Sequence, residues 1–308
     1  MAGDVGGDRR FGSYRLLDLL GDGDTDQLVR AHDPALGRDV VLRVLAPQPG
    51  RRERFLRELP VVLRLAEPHL VRVHRYGDVG GRLFVATELV EGEHLAEVLA
   101  RTGPLDPARA VDVVGQLARA LDVVHAAGLV HRDVGASHVL VRARPAGTGG
   151  DAVLLADLGT APGAGRDSEH PAPELAAGGP VDGRADVFSL AGLLFELLTG
   201  ARPEPGADPP APSALRPGLP PELDGVVQRG LAADPERRWT SAGGMAAAAR
   251  AALALSGVEV ARPADDATGM TGERAPGPRR IVPAGAAALL AVLAATVLQR
   301  RRSSGRRR

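Results

Sequence analysis

The sequence predicts an α+β chain of two unequal lobes, a small antiparallel β lobe with one helix and a larger helical lobe. A linker and a single C-terminal transmembrane helix are expected to follow. Three observations carry this. Residues 11–90 hold short apolar runs cut by Gly and Asp clusters, the punctuation that hairpins need. Residues 94–254 carry apolar residues mainly at helical spacing. Residues 281–298 contain no charged side chain and lie between Arg279–Arg280 and Arg300–Arg302.

The elements follow in order. Residues 1–10 are expected to be disordered. Apolar runs at 14–20, 27–31 and 39–45 read as strands, the first ended by Gly21. Residues 51–66 have helical spacing, with Pro60 an awkward interior residue because it removes a helix N–H. Residues 83–89 read as a buried strand. Pro107 to Ala127 is amphipathic, with Asp106 placed to cap it. Ala185 to Thr199 is an apolar helix stopped by Gly200, and Ser241 to Ser256 is an Ala-rich one. The expected organisation is a folded unit at 11–255 (lobes about 11–90 and 91–255), a flexible linker at 256–280, a membrane helix at 281–298 and a basic tail at 299–308.

Composition narrows the chemistry. The 308 residues include no Cys, which excludes disulfides, a thiolate nucleophile and zinc–thiolate sites. All 38 basic residues of the Lys+Arg class are Arg, and Asn is absent as well. The net charge of zero is asymmetric: from Glu273 onward nine Arg face one acid, so the body is acidic and the tail basic. That argues against a nucleic-acid groove in the body and for an anionic membrane surface under the tail. A helix of 18 residues spans ~27 Å, close to the ~30 Å hydrocarbon core. The N-terminus leads into no long apolar stretch, so no signal peptide is expected. The pairs Ala284/Ala288, Ala287/Ala291 and Ala291/Ala295 have a spacing that permits close helix pairing, and hence dimerisation.

One ordered set of motifs covers residues 11–255. Gly21 and Gly23 sit in a strand–turn–strand, and Val40-Val41-Leu42-Arg43 ends the third strand. Glu58 lies on the first helix, and Thr87-Glu88-Leu89-Val90 leaves a buried strand. Then come His131-Arg132-Asp133 with His138, Asp157-Leu158-Gly159, Ala172-Pro173-Glu174, Asp186, and Arg238 within DPERRW. In this order and spacing the chain resembles an actinobacterial Ser/Thr protein kinase of the Hanks type, as a degenerate member.

The resemblance implies roles residue by residue. Asp133 would be the base that orients a hydroxyl, with His131 and Arg132 beside it. Nucleotide would lie against Gly21, Gly23, Leu28, Val41, Arg43, Glu58, Glu88, Val90, His138 and Asp157. Asp157 would hold a metal ion, with His138 a weaker candidate. Glu174 with Arg238 would form a buried structural pair, and Asp186 would brace the catalytic loop. An ion pair between Glu58 and Arg43 is expected to hold the helix.

The departures fall on the chemistry. The family's phosphate-holding Lys is Arg43, its second catalytic Lys is Gly135, and its metal-binding Asn is His138. The third glycine of the phosphate loop is Asp26. With Asp22 and Asp24 it makes an acidic turn, either solvated or repelling a triphosphate. Val41 stands where the family has Ala and would crowd the base. Only 18 residues run from Asp157 to Glu174, without a substrate platform, and Thr160 and Ser168 are the hydroxyls there. The expectation is therefore a membrane-tethered pseudokinase, a scaffold or binding module for a protein partner. It would be single-pass, with the folded domain cytoplasmic, no bound nucleic acid, and no requirement for ATP or for Mg²⁺ or Mn²⁺. The alternatives are a weakly active Ser/Thr kinase or a non-catalytic ATP sensor.

Overall fold

The computed structural model describes residues 9–22, 26–143, 150–160, 168–204 and 209–257. Six strands form one antiparallel sheet in the order β1-β2-β3-β4-β6-β5: β1 (Arg10–Phe11), β2 (Tyr14–Asp22), β3 (Asp26–Asp33), β4 (Arg38–Leu45), β5 (Val73–Val79) and β6 (Arg82–Glu88). Helix α1 (Arg51–Val62) links β4 to β5. Pro60 lies inside α1, where it leaves the carbonyl of the exposed Leu56 without its helical N–H.

Strand alternation sets the two faces of this sheet. On β4, Val40, Leu42 and Val44 are buried with Tyr14, Ala31, Phe84 and Ala86. Tyr14 and Phe11 both meet Phe84 edge-on, at 5.5 Å and 5.7 Å. Val41 and Arg43 therefore share the opposite face, half-buried, with Val41 opposite Thr87 and Arg43 opposite Leu28.

The second lobe opens with α2 (Leu95–Thr102) and α3 (Pro107–Ala126). A small antiparallel sheet follows, in the order β7 (Glu93–His94), β8 (Val139–Arg142) and β9 (Ala152–Leu155). Then come α4 (Pro173–Ala177), α5 (Gly183–Thr199), α6 (Pro212–Leu215), α7 (Glu222–Gly230) and α8 (Ala242–Leu255). The caps explain the ends. Asp106 accepts from the N–H of Ala108 ahead of Pro107, Asp182 from that of Arg184, and Ser241 from that of Gly244. Gly200 closes α5 at φ 76°, a left-handed position that suits glycine.

One continuous core joins α1 to the second lobe. Phe55, Leu59 and Val62 pack with Leu70 and Leu158, and the same cluster runs on through α3, α5, α7 and α8. This two-lobed architecture is the expected one. Among the described residues no helix is long and apolar enough to cross a membrane. The expected membrane helix at 281–298, its basic flanks and tail, most of the linker, and the Ala pairs all lie outside the described residues, as does Gly23.

Candidate functional site

Arg43 leaves the half-buried face of β4 and reaches two carboxylates, those of Asp157 and Asp26. Its Nη2 lies 2.6 Å from Asp157 Oδ2, and its Nη1 lies 3.4 Å from Asp26 Oδ2. The same Asp157 oxygen accepts from His138 Nδ1 at 2.7 Å, and His138 Nε2 lies 3.1 Å from Asp133 Oδ2. The four side chains thus form one chain of alternating charge, Arg43–Asp157–His138–Asp133.

Backbone geometry holds this chain in place. Arg132 and Asp157 are the non-glycine residues with left-handed φ among the described residues, at 71° and 68°. Each such residue costs of order 1–3 kcal/mol and persists only where neighbours enforce it. Asp186, fully buried, supplies that force at Arg132: Oδ1 accepts from the N–H of Arg132 at 2.7 Å and Oδ2 from that of His131 at 2.8 Å. His125 Nε2 also lies 2.7 Å from Asp186 Oδ2. His131 donates from Nε2 to the carbonyl of Ala156 at 2.8 Å, while its Nδ1 accepts from the N–H of Asp133 at 3.3 Å. That pair of contacts fixes the orientation of the His131 ring.

Titration follows from these contacts. Burial alone would lower the His138 imidazole, but hydrogen bonds to Asp133 and Asp157 push it up to about 10. Burial would raise Asp157, yet the Arg43 charge and His138 hold it well below the carboxylate range. Asp133 is likewise held below its ordinary value, against the pull of burial, chiefly by His138. The cluster is two cations and two anions, neutral without any added ion.

The expected Glu58–Arg43 pair is not formed. Glu58 accepts from Arg132, Nη2 to Oε1 at 3.0 Å and Nη1 to Oε2 at 3.1 Å. The planar guanidinium of Arg43 is already taken by Asp157 and Asp26, and Arg132 offers a parallel fork to Glu58. Asp26 also differs from a solvated turn residue. Its side chain is 11% exposed, and its oxygens accept from Arg51 Nη1 and Nη2, both at 2.8 Å, and from the N–H of Ala46 at 3.0 Å. Arg51, 4% exposed, donates onward to the carbonyl of Thr160 at 2.7 Å. The sequence reading missed Arg51, whose only signal is a basic residue in the first turn of α1 soon after an acid at the third-glycine position.

Glu169 was missed too. Its carboxylate accepts from the N–H groups of Ala136 and Ser137 at 2.9 Å and 3.1 Å. It sits where a side chain at Gly135 would go: a Cβ there would lie 2.8 Å from Glu169 Oε2. Glu169, His170 and Glu196 converge closely enough for a metal. Arg202 already joins the two carboxylates, at 3.2 Å and 2.9 Å, and His170 Nε2 lies 2.9 Å from Glu196.

The remaining expected residues are placed as follows. Gly21 pairs with Leu28 across β2 and β3. Glu88 Oε1 turns back to the N–H of Arg72 at 3.0 Å, and Val90 is half-buried after β6. Thr160 Oγ1 donates to the carbonyl of Asp157 at 2.8 Å. Arg238, 1% exposed, makes a two-pronged pair with Glu174 at 2.6 Å and 2.8 Å and also donates to three carbonyls.

A divalent cation does not fit this arrangement. Both ring nitrogens of His138 point at carboxylates, so neither has a lone pair free for a metal, which removes it as a ligand. Asp157 Oδ2 already faces two cationic donors.

The protein kinase domain family matches residues 14–245. The chain is 40% identical over 275 residues to the serine/threonine-protein kinase PknD of Mycobacterium tuberculosis, covering 80% of this chain and 40% of that one. It is 38% identical over 270 residues to PknH of Mycobacterium bovis, covering 79% and 44%. It therefore spans less than half the length of these curated relatives. A crystal structure of the Mycobacterium tuberculosis PknI kinase domain superposes with a TM-score of 0.71 at 33% identity, covering 81% of this chain and all of that one. The fold, the ordered motifs and these relatives together place the chain in the protein kinase family, alongside the mycobacterial Hanks-type Ser/Thr kinases.

Proposed function

We propose that this kinase-family domain is catalytically impaired, a pseudokinase that works as a signalling scaffold or binding module for a protein partner. One observation carries the reading: His138 bridges Asp133 and Asp157. The family's base and metal-holding carboxylate are therefore tied to each other through a cation. Phosphoryl transfer needs one of them free to orient a hydroxyl and the other free to hold a metal. Glu169 over Gly135 adds to this, since it covers the catalytic loop where the family has a lysine.

A membrane tether at residues 281–298 is part of the proposal. Its support is the uncharged 18-residue run between Arg clusters, which suits a single span. The weak-kinase alternative draws on Asp133, Asp157 and Glu58 being present and on relatives named as Ser/Thr kinases. The test is phosphate incorporation by the purified full chain from labelled ATP, with Mg²⁺ and with Mn²⁺. No transfer above a Asp133→Ala control is expected. Transfer that the control abolishes overturns the reading in favour of the alternative.

A further inference from the structure

We propose that Asp26 is an internal anion filling a phosphate-type site, so that the cleft selects an uncharged purine such as adenosine over its triphosphate, without a divalent cation. This deepens the non-catalytic reading above and rests on it.

The donors converging on Asp26 are those of an anion site. Arg51 gives two N–H groups at 2.8 Å, the N–H of Ala46 a third at 3.0 Å, and Arg43 a fourth at 3.4 Å. Paired guanidinium N–H groups donate to carboxylate or phosphate oxygens in the same geometry. The site is built rather than incidental: Arg51 is buried and is anchored on its far side by the carbonyls of Thr160 and Ala46. A triphosphate arriving here meets Arg51 and Arg43 Nη groups that Asp26, Asp157 and the Thr160 carbonyl already engage. It must evict Asp26 or Asp157, which then face the ligand as unpaired negative charges, and His138 leaves no room for the metal that would screen them.

The other end of the cleft keeps what a flat ring needs. Val41, Leu28 and Thr87 lie half-buried on the sheet face that carries Arg43. The N–H of Val90, where the chain leaves β6, bonds to no other described residue. Half-buried Val41 and Leu28 beside an open backbone donor suit a heteroaromatic base and make no use of phosphates.

The test is equilibrium binding of adenosine and of ATP to the purified full chain, each with EDTA and with excess Mg²⁺. Wild-type protein is expected to bind adenosine more tightly than ATP, with no effect of Mg²⁺. Asp26→Gly and the isosteric Asp26→Asn free Arg51 and Arg43. Each is expected to raise ATP affinity in EDTA by about tenfold or more while leaving adenosine unchanged. Tighter binding of Mg²⁺–ATP than of adenosine by wild type, absence of adenosine binding, or unchanged ATP affinity in the folded variants each overturns the proposal. The wild-type comparison decides even if both variants fail to fold. A transfer assay on the same preparation separates the two claims: transfer defeats the non-catalytic reading, whereas Mg²⁺-dependent ATP binding without transfer defeats only the selectivity.

Discussion

Glu58 on α1 is held by Arg132 of the catalytic loop, through two parallel hydrogen bonds of 3.0 Å and 3.1 Å. This pair ties the helix of the small lobe directly to the large lobe. In the expected pairing with Arg43 the helix would have been tied to its own sheet. The swap releases Arg43 for Asp157, and it is that release which completes the neutral cluster in the cleft.

Removing Glu58 should therefore loosen the lobes without touching the cleft chemistry. Glu58→Ala leaves Arg132, itself in a left-handed backbone position, without its partner. Loss of one member of a largely buried pair costs about 3 kcal/mol. Urea unfolding followed by the fluorescence of Trp239, the chain's single tryptophan, measures it. A change under ~0.5 kcal/mol, the range of ordinary surface substitutions, would contradict the assigned role.

Restoring lysine on β4 should not restore transfer. In Arg43→Lys the ammonium still faces Asp157 and Asp26, while Glu58 remains engaged by Arg132. The expected result is a labelled-ATP assay no higher than wild type. Gain of transfer would show that residue 43, rather than His138, sets the block.

Restoring the catalytic-loop lysine should cost stability. In Gly135→Lys the new Cβ meets the Glu169 carboxyl at 2.8–2.9 Å and pushes it off the Ala136 and Ser137 N–H groups. A loss of about 1–2 kcal/mol is expected from the clash. In the double variant with Glu169→Ala the two changes should couple by more than ~0.5 kcal/mol, read from a double-mutant cycle. Simple additivity would mean that the two residues do not compete for one space.

The His138 bridge makes stability depend on pH in a defined direction. Its folded-state value of about 10 lies above the ordinary 6.5, so its contribution is complete below 6.5 and is lost as pH rises toward 10. Asp157 runs the other way: its value is depressed, so its contribution is present above 3.8 and is lost on acidification. The stability gap between wild type and His138→Gln should accordingly shrink steadily from neutral pH to about pH 10. A gap that stays constant over that range would mean His138 is not the cation that joins the two carboxylates.

Local signals in the sequence were enough for the scaffold. Asp106 before Pro107, Gly200 after an apolar run and Ser241 ahead of an Ala-rich run mark helix ends because capping is a short-range effect. The family resemblance also implied the pairing of Glu174 with Arg238 and the place of Asp186 behind the catalytic loop, as found. The cleft was harder to read because its partners are far apart in the chain and several donors compete for each acceptor. Arg51 meets Thr160 across 109 positions, and Arg132 meets Glu58 across 74. Which guanidinium reaches which carboxylate depends on fork geometry that residue identity alone does not specify. Gly135 held one readable clue. A missing side chain at a crowded loop leaves room for a neighbour, and Glu169 is that neighbour.

The most direct test of the cleft account is Mn²⁺ binding to the purified full chain, followed by electron paramagnetic resonance with and without ATP. Because His138 and Arg43 already occupy Asp157, no saturable Mn²⁺ site is expected in either condition. A stoichiometric Mn²⁺ site in wild-type protein, lost in Asp157→Asn, would contradict the account.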